Sequence, residues 1–179
     1  MSHFNVCVIH DEKDSVLKLL KPYDENHNPE GKYDWYAIGG RWFGFLSTKA
    51  GNNVNTAKVK DIDFLPTKEV CDAYSCFWDV IVEKKPLNEG EKELFCFEDE
   101  FYFRNVYGNK EKFIEVETAF FTYAVVTPDG VWHEPGQILP FGFSDATEGE
   151  MLKWKEEFYN KFISGLDSEM MITIVDCHV

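Results

Sequence analysis

Hydrophobic and polar positions alternate near both ends of the chain, which is the pattern of strands with one face turned to a core. Residues 4–9 predict an opening strand, and residues 170–179 predict a closing strand. One face of the opening strand carries Phe4, Val6 and Val8. One face of the closing strand carries Ile172, Ile174, Asp176 and His178. We therefore expect both segments to lie in a sheet.

Three further segments space their hydrophobic residues as amphipathic helices do. Asp11 can cap a first helix, which stops at Pro22 because proline cannot continue a helix. Thr67 can cap a second helix. Thr147 opens a third helix with a capping box, and Gly165 ends it.

A Thr-Pro-Asp-Gly turn joins residues 120–126 to residues 131–133, which predicts a hairpin. The order of strand, helix, hairpin, helix and strand predicts an α+β fold. We expect a ferredoxin-like β-α-β-β-α-β antiparallel sheet with a large insertion after the first helix, over approximately residues 23–118. The length of 179 residues predicts a single domain over residues 1–179. Residues 87–118 do not decide between strand and helix.

The segment of residues 28–44 is unusual in composition, with five aromatic residues, four glycines and one of the two arginines. Residues 42–47 predict a strand and the residues before them a loop. An arginine among aromatic rings can stack on them and still bind a phosphate or carboxylate through its fork of N–H groups. We assign candidate ligand-binding roles to Asp34, Trp35, Tyr36, Gly39, Gly40, Arg41 and Trp42. The alternative is structural, with Arg41 and Asp34 forming an ion pair that holds the loop on the core.

The predicted topology brings distant polar residues to one end of the sheet. In this arrangement the first strand starts where the last strand ends, close to the segment of residues 28–44. The candidates for metal binding or acid–base chemistry are His3, His133, Glu134, Asp176 and His178. Imidazole and carboxylate groups suit zinc, manganese or iron. No cofactor is required by the pattern, no HExxH motif is present, and edge histidines also serve as structural residues.

The charge of the chain bears on its binding partners, and its cysteine content bears on its cellular compartment. The 32 acidic and 18 basic residues give a formal charge of -14, which disfavours direct binding to nucleic acids or anionic membranes. No apolar run of membrane-spanning length and no signal peptide is evident, and the five cysteines form no CxxC pair. We expect a cytoplasmic protein with buried thiols, and both a monomer and an edge-strand dimer remain open.

Several motifs together resemble those of a family of uncharacterised bacteriophage and prophage proteins with an HFxVxVI start, a DWYxIGGRWxG centre and a VDCH ending. The resemblance lies in residues 1–9, 28–32, 34–36, 38–42, 44, 121–126, 129–130, 132–136 and 175–178. It implies a small accessory protein made in the cytoplasm of an infected bacterial host cell, with a role in host modulation or counter-defence. It supplies no activity.

Two hypotheses follow from the sequence, and whether the protein is an enzyme stays open between them. The first is a non-enzymatic binding module for a host protein or a small anionic ligand such as a nucleotide, in which Arg41 binds the anion and a tryptophan stacks on it. The alternative is a metal-assisted phosphate-ester hydrolase with His3, Asp176 and His178 as metal ligands. In it, Asp34 is the general base or a further ligand, and Arg41 stabilises the transition-state charge.

Overall fold

The computed structural model describes residues 2–11, 16–85, 100–138 and 143–179. The chain forms two compact units. Unit 1 consists of Met1–Phe64 and Phe121–Val179, and unit 2 consists of Leu65–Phe120. The insertion predicted at approximately residues 23–118 therefore spans most of unit 2 and part of unit 1.

Unit 1 is built on a mixed six-stranded sheet, so the α+β class predicted from the sequence is confirmed. The strands of unit 1 are β1 (His3–His10), β2 (Trp35–Ile38), β3 (Leu46–Ser47), β4 (Asn53–Val54), β5 (Thr56–Lys58), β6 (Ala124–Val126), β7 (Trp132–His133) and β8 (Met171–His178). The main sheet has the order β2-β8-β1-β6-β7, and β5 pairs with the other half of β8. Strands β3 and β4 form a separate two-stranded ladder.

The predicted antiparallel, ferredoxin-like arrangement is not confirmed, because the sheet contains a parallel pair. Strands β1 and β8 are antiparallel along their whole length, as expected. Strand β6, the first strand of the predicted hairpin, lies directly beside β1 and parallel to it, with Val6 opposite Ala124. Parallel neighbours need a long crossover connection, and the chain between β1 and β6 provides one. The hairpin itself forms, with β7 antiparallel to β6.

The segment of residues 28–44 differs from its prediction. Trp35–Ile38 is a strand that pairs with the last half of β8, whereas the sequence predicted a loop there. Gly40–Trp42 is a 3₁₀ turn, and only Leu46–Ser47 of the predicted 42–47 strand is extended. Pairing with β8 decides this structure, because a four-residue edge strand with exposed side chains has little hydrophobic alternation of its own.

One hydrophobic cluster of unit 1 lies against the face of the sheet that carries Phe4, Val6 and Val8. Its buried members are Phe4, Val6, Val8, Leu19, Leu20, Tyr33, Ala124, Val126, Val175 and Cys177. Helix α1 (Val16–Leu20) ends before the 3₁₀ turn that contains Pro22, as predicted. The predicted cap at Asp11 precedes residues 12–15, which lie outside the described residues.

The third helix predicted from the sequence follows the hairpin in unit 1 and is α5 (Glu148–Phe158). It begins with the predicted capping box of Thr147 and Glu150. It continues as a π-helical turn over Tyr159–Ile163. Phe158 is fully buried, and Trp154 Nε1 donates a hydrogen bond to the carbonyl of Thr122 at 2.8 Å. The amphipathic pattern therefore identified this helix correctly.

Unit 2 is helical in its described part. It contains α2 (Lys68–Ile81), α3 (Glu100–Tyr107) and α4 (Lys110–Glu117). Thr67 caps α2 as predicted, with its hydroxyl accepting from the Val70 N–H. Buried residues of its core are Trp78, Ile81, Val82, Phe103 and Phe113. The undecided residues 87–118 thus contain α3 and α4, and residues 86–99 lie outside the description. Within the described ranges, no helix has the length and hydrophobicity needed to cross a membrane.

Candidate functional site

Three strand ends meet at one end of the unit 1 sheet and form the candidate site. His3 at the start of β1 lies opposite His178 at the end of β8, and Trp35 at the start of β2 lies opposite His178 on the other side. Because paired residues project to the same face, these three side chains lie next to one another. The structure thus brings together residues that are up to 175 positions apart in the chain, as the positions of His3 and His178 show.

The first histidine of the site is held by a buried carboxylate. His3 Nδ1 lies 2.8 Å from Asp176 Oδ1, and Asp176 is only 2% exposed. The second oxygen of the same carboxylate accepts the main-chain N–H of Arg41 at 2.9 Å. Asp176 therefore fixes both a histidine side chain of β1 and the backbone of the glycine-rich turn.

The second histidine is held in the same way. His178 Nδ1 lies 2.6 Å from Asp34 Oδ1, and the main-chain N–H of Asp34 donates to the carbonyl of His178. A carboxylate on Nδ1 orients the ring and selects the atom that carries the proton. His178 Nε2 is buried and has no hydrogen-bond partner among the described residues. The site thus contains two carboxylate-anchored imidazoles.

Aromatic contacts join the two pairs into one cluster. The rings of Trp35 and His178 are stacked, with centroids 5.3 Å apart and planes inclined by 16°. Trp35 also meets His3 edge-on at 5.4 Å, and the two histidine rings are 5.0 Å apart at 73°. Trp35 nevertheless remains 46% exposed. It is therefore placed both to cover His178 and to contact a ligand from solvent.

The Gly39-Gly40 pair is required by the backbone of this site. Both residues have positive φ angles, 74° for Gly39 and 49° for Gly40. A Cβ atom at Gly40 would overlap the carboxylate of Asp176. The N–H of Gly39 donates to the Ile174 carbonyl at 2.8 Å, which holds the turn against β8. Glycine is therefore needed here for both conformation and space.

Arg41 does not form the ion pair with Asp34 that the structural alternative proposed. Asp34 pairs with His178 instead, because it directly precedes Trp35, the residue of β2 that lies opposite His178. Arg41 is exposed, and its guanidinium has no hydrogen bond or ion pair among the described residues. The side chain is thus available to a partner from solvent.

Tyr36 and Trp42, the other aromatic candidates in the segment of residues 28–44, lie outside the histidine cluster. Tyr36 lies opposite Cys177 and packs against the core cluster, meeting the Tyr33 ring edge-on at 5.7 Å. Burial raises the pKa of Tyr36. Trp42 lies half-buried in the 3₁₀ turn. Tyr36 therefore projects away from the face that carries the two histidines.

His133 and Glu134 do not join the cluster. His133 lies opposite Val125, whose partner on β1 is Cys7, four residues along the strand from His3. The ring of His133 packs on Phe162 instead. The expected convergence was wrong for this residue because it assumed antiparallel neighbours for β1. Burial and the nearby Lys161 lower the pKa of His133, against a smaller opposing effect of Asp129.

Glu134 has structural partners. It accepts hydrogen bonds from Lys32 Nζ at 2.7 Å and from Trp132 Nε1 at 2.8 Å. Its two oxygens are therefore used within the fold, and it links the segment before β2 to the end of β7.

Asn55 is a positioning residue that sequence reasoning did not identify. Its side-chain oxygen accepts the Gly44 N–H at 2.7 Å, and its main-chain carbonyl accepts the Ile174 N–H at 2.8 Å. It thereby connects the far end of the glycine-rich turn to β8. No local sequence signal marks it, because both partners are distant in the chain.

Metal binding by three or more side chains is not evident. The part of the chain that the structure describes contains no group of three or more histidine, cysteine, aspartate or glutamate side chains arranged to hold a metal ion. Asp176, expected as a ligand, is instead hydrogen-bonded to His3 and to the Arg41 backbone.

Comparison of the chain with protein-family models, with curated proteins and with solved structures found no match.

Proposed function

We propose that the protein is a non-enzymatic binding module for a small anionic ligand with a planar group, such as a nucleotide. The observation that carries the proposal is the exposed, unpaired side chain of Arg41. Its side chain is exposed, and its guanidinium has no partner among the described residues, although the chain contains 32 acidic residues and a formal charge of -14. An unpaired guanidinium on so acidic a protein is suited to an anion from solution, because it can bind a phosphate with two parallel hydrogen bonds.

The surroundings of Arg41 support a fixed binding surface. Its main-chain N–H is bound to the buried Asp176, which also holds His3. His3 in turn contacts Trp35, the half-exposed indole of the cluster. The exposed part of the Trp35 indole offers a stacking surface to a base, and such stacking is worth about 1–3 kcal/mol per base in nucleic-acid complexes. The backbone of Arg41 and the indole of Trp35 are therefore linked through Asp176 and His3.

The resemblance to bacteriophage and prophage proteins adds a biological context to this proposal. We propose an accessory protein of an infected bacterial cytoplasm that acts in host modulation or counter-defence. Capture of a small nucleotide ligand is one way to act in that role, and binding of a host protein through the same surface is the other.

The test is calorimetric titration of the purified full-length chain with AMP, ADP and inorganic phosphate. We expect Arg41→Ala to weaken binding of all three by about tenfold or more, since a hydrogen bond to a charged group is worth about 1.5–3 kcal/mol. Arg104→Ala is the matched control. Arg104 is also an exposed arginine, but it lies in unit 2 and pairs with Glu100.

Trp35→Leu separates the two parts of the surface. It should weaken binding of AMP while leaving inorganic phosphate unchanged, because only the base can stack. Equal affinity of the wild type and Arg41→Ala for all three probes would refute the proposal. Release of phosphate from ADP by the wild type, absent in His178→Ala, would replace it by the hydrolase alternative.

A further inference from the structure

His3 and His178 share a feature that is characteristic of metal-binding histidines. Each has its Nδ1 atom on a carboxylate, 2.8 Å from Asp176 for His3 and 2.6 Å from Asp34 for His178. When Nδ1 donates its proton to a carboxylate, the neutral ring has its lone pair on Nε2. Metal-ligating histidines almost always donate the other ring N–H to a carboxylate, carbonyl or water in this way.

The Nε2 atom of His178 provides an independent indication. The residue is 7% exposed, and this nitrogen is buried without a hydrogen-bond partner among the described residues. Leaving a buried polar atom unsatisfied costs about 1–3 kcal/mol. A ligand that bonds to Nε2 removes that cost, so the atom is suited to a partner from outside the chain.

The spacing of the two rings fits a shared ion. Zinc bonds to imidazole nitrogen at about 2.0–2.1 Å in tetrahedral geometry, which separates the centres of two rings on one ion by about 5 Å. The observed separation of the His3 and His178 ring centroids is 5.0 Å, with the planes inclined by 73°. The ring separation is therefore the one expected for two imidazoles on a single ion.

We propose that His3 and His178 bind one divalent transition-metal ion, of which zinc is the type, through their Nε2 atoms. Asp176 and Asp34 orient the two rings and do not bind the metal. This assignment differs from a site with Asp176 as a ligand, because both oxygens of that carboxylate are used by His3 and Arg41. The remaining coordination positions are open to water or to an anion.

Trp35 lies beside this metal site. Its indole stacks on the His178 ring, and the side chain is 46% exposed. An ion bonded to Nε2 lies in the plane of the imidazole and places a positive charge close to the stacked indole. Metal binding should therefore change the fluorescence of Trp35, and this change should disappear in Trp35→Phe while zinc binding persists.

The experiment is equilibrium dialysis of the untagged, metal-stripped chain against zinc chloride, with cobalt as a spectroscopic substitute. The wild type should bind one zinc ion per chain at this site. We expect His178→Ala and His3→Ala each to weaken zinc binding by about 100-fold or more. Asp34→Asn and Asp176→Asn should weaken it by about 10- to 100-fold, as is typical when a carboxylate behind a ligating histidine is removed.

His27→Ala is the matched control. His27 also has its Nδ1 atom on a carboxylate, 3.0 Å from Asp24, but its side chain is exposed. The His27→Ala variant should bind zinc as the wild type does. Loss of zinc to the same extent in His27→Ala as in His178→Ala would show adventitious binding and overturn the proposal, as would an absence of zinc binding by the wild type.

Separate control measurements test folding and anion binding. Thermal unfolding of each variant distinguishes loss of the site from loss of the fold, and His3→Gln provides a milder variant at the start of β1 should His178→Ala not fold. Arg41→Ala should retain zinc while losing nucleotide. The failure of either proposal is therefore visible without the other.

Discussion

The main-chain N–H of Arg41 donates to Oδ2 of Asp176, across 135 positions of the sequence. This hydrogen bond attaches the glycine-rich turn after β2 to the end of β8. The other oxygen of Asp176 holds His3, so one buried carboxylate positions three separate segments of the chain. The candidate site depends on that carboxylate more than on any other single group.

Replacement of Asp176 by alanine should destabilise the protein by about 3–5 kcal/mol. The variant leaves His3 Nδ1 and the Arg41 N–H without their buried acceptor, and each of two buried donors left unsatisfied costs about 1–3 kcal/mol. Urea unfolding of the full-length chain measures the effect. Asp72→Ala is the control, because Asp72 forms an exposed i,i+4 pair with Lys68 and its loss should change stability by less than about 0.5 kcal/mol.

Gly40→Ala should be more destabilising than Gly51→Ala, although both residues have positive φ angles. A left-handed conformation costs a non-glycine residue about 1–2 kcal/mol, and this cost is common to both variants. A Cβ at Gly40 also overlaps the Asp176 carboxylate, whereas nothing lies within 4 Å of one at Gly51. Thermal unfolding compares the two, and equal destabilisation would contradict the close contact in the structure.

The pH dependence of stability should include a contribution from His133. Burial lowers its pKa in the folded state below the ordinary value of 6.5. The unfolded chain therefore binds a proton first as the pH falls through 6.5, and the folded state loses stability below that value. Urea unfolding at pH 7.5 and 5.5 should show a smaller loss in His133→Gln than in the wild type. His27→Gln, a change at an exposed histidine, is the control.

The thiols should differ sharply in reactivity. Burial raises the pKa of both Cys7 and Cys177, so neither forms the reactive thiolate at pH 8. Cys76 is exposed and Cys71 is partly exposed. Alkylation with iodoacetamide under native conditions, followed by peptide mass spectrometry, should label Cys76 before Cys71 and leave Cys7 and Cys177 unmodified until the protein unfolds. Early labelling of Cys177 would contradict its place in the core.

Two leucines of helix α1 provide a test of the core of unit 1. Leu20 is fully buried and Leu17 is 59% exposed. Leu20→Ala should cost about 2–5 kcal/mol of unfolding free energy, since it removes buried methyl groups and leaves a cavity. Leu17→Ala should change stability by less than about 0.5 kcal/mol. Chemical denaturation of the two variants measures this difference, and equal values would place the core on another face of the helix.

Local patterns in the sequence determined the elements whose signals are complete within a few residues. Alternation identified β1 and β8, the Thr-Pro-Asp-Gly turn identified the β6–β7 hairpin, and threonine caps identified α2 and α5. The buried state of Cys7 and Cys177 also followed from their positions in predicted strands. These features depend on backbone preference and on one buried face, which the sequence shows directly.

Tertiary structure alone decided which strands became neighbours and which polar groups met. The parallel pairing of β6 with β1 kept His133 away from His3, and pairing with β8 made Trp35–Ile38 a strand. The same pairing brought Asp34 to His178, and the guanidinium of Arg41 has no partner among the described residues. Such contacts join segments far apart in the chain, and no local pattern encodes them because their energy exists only once the sheet has formed.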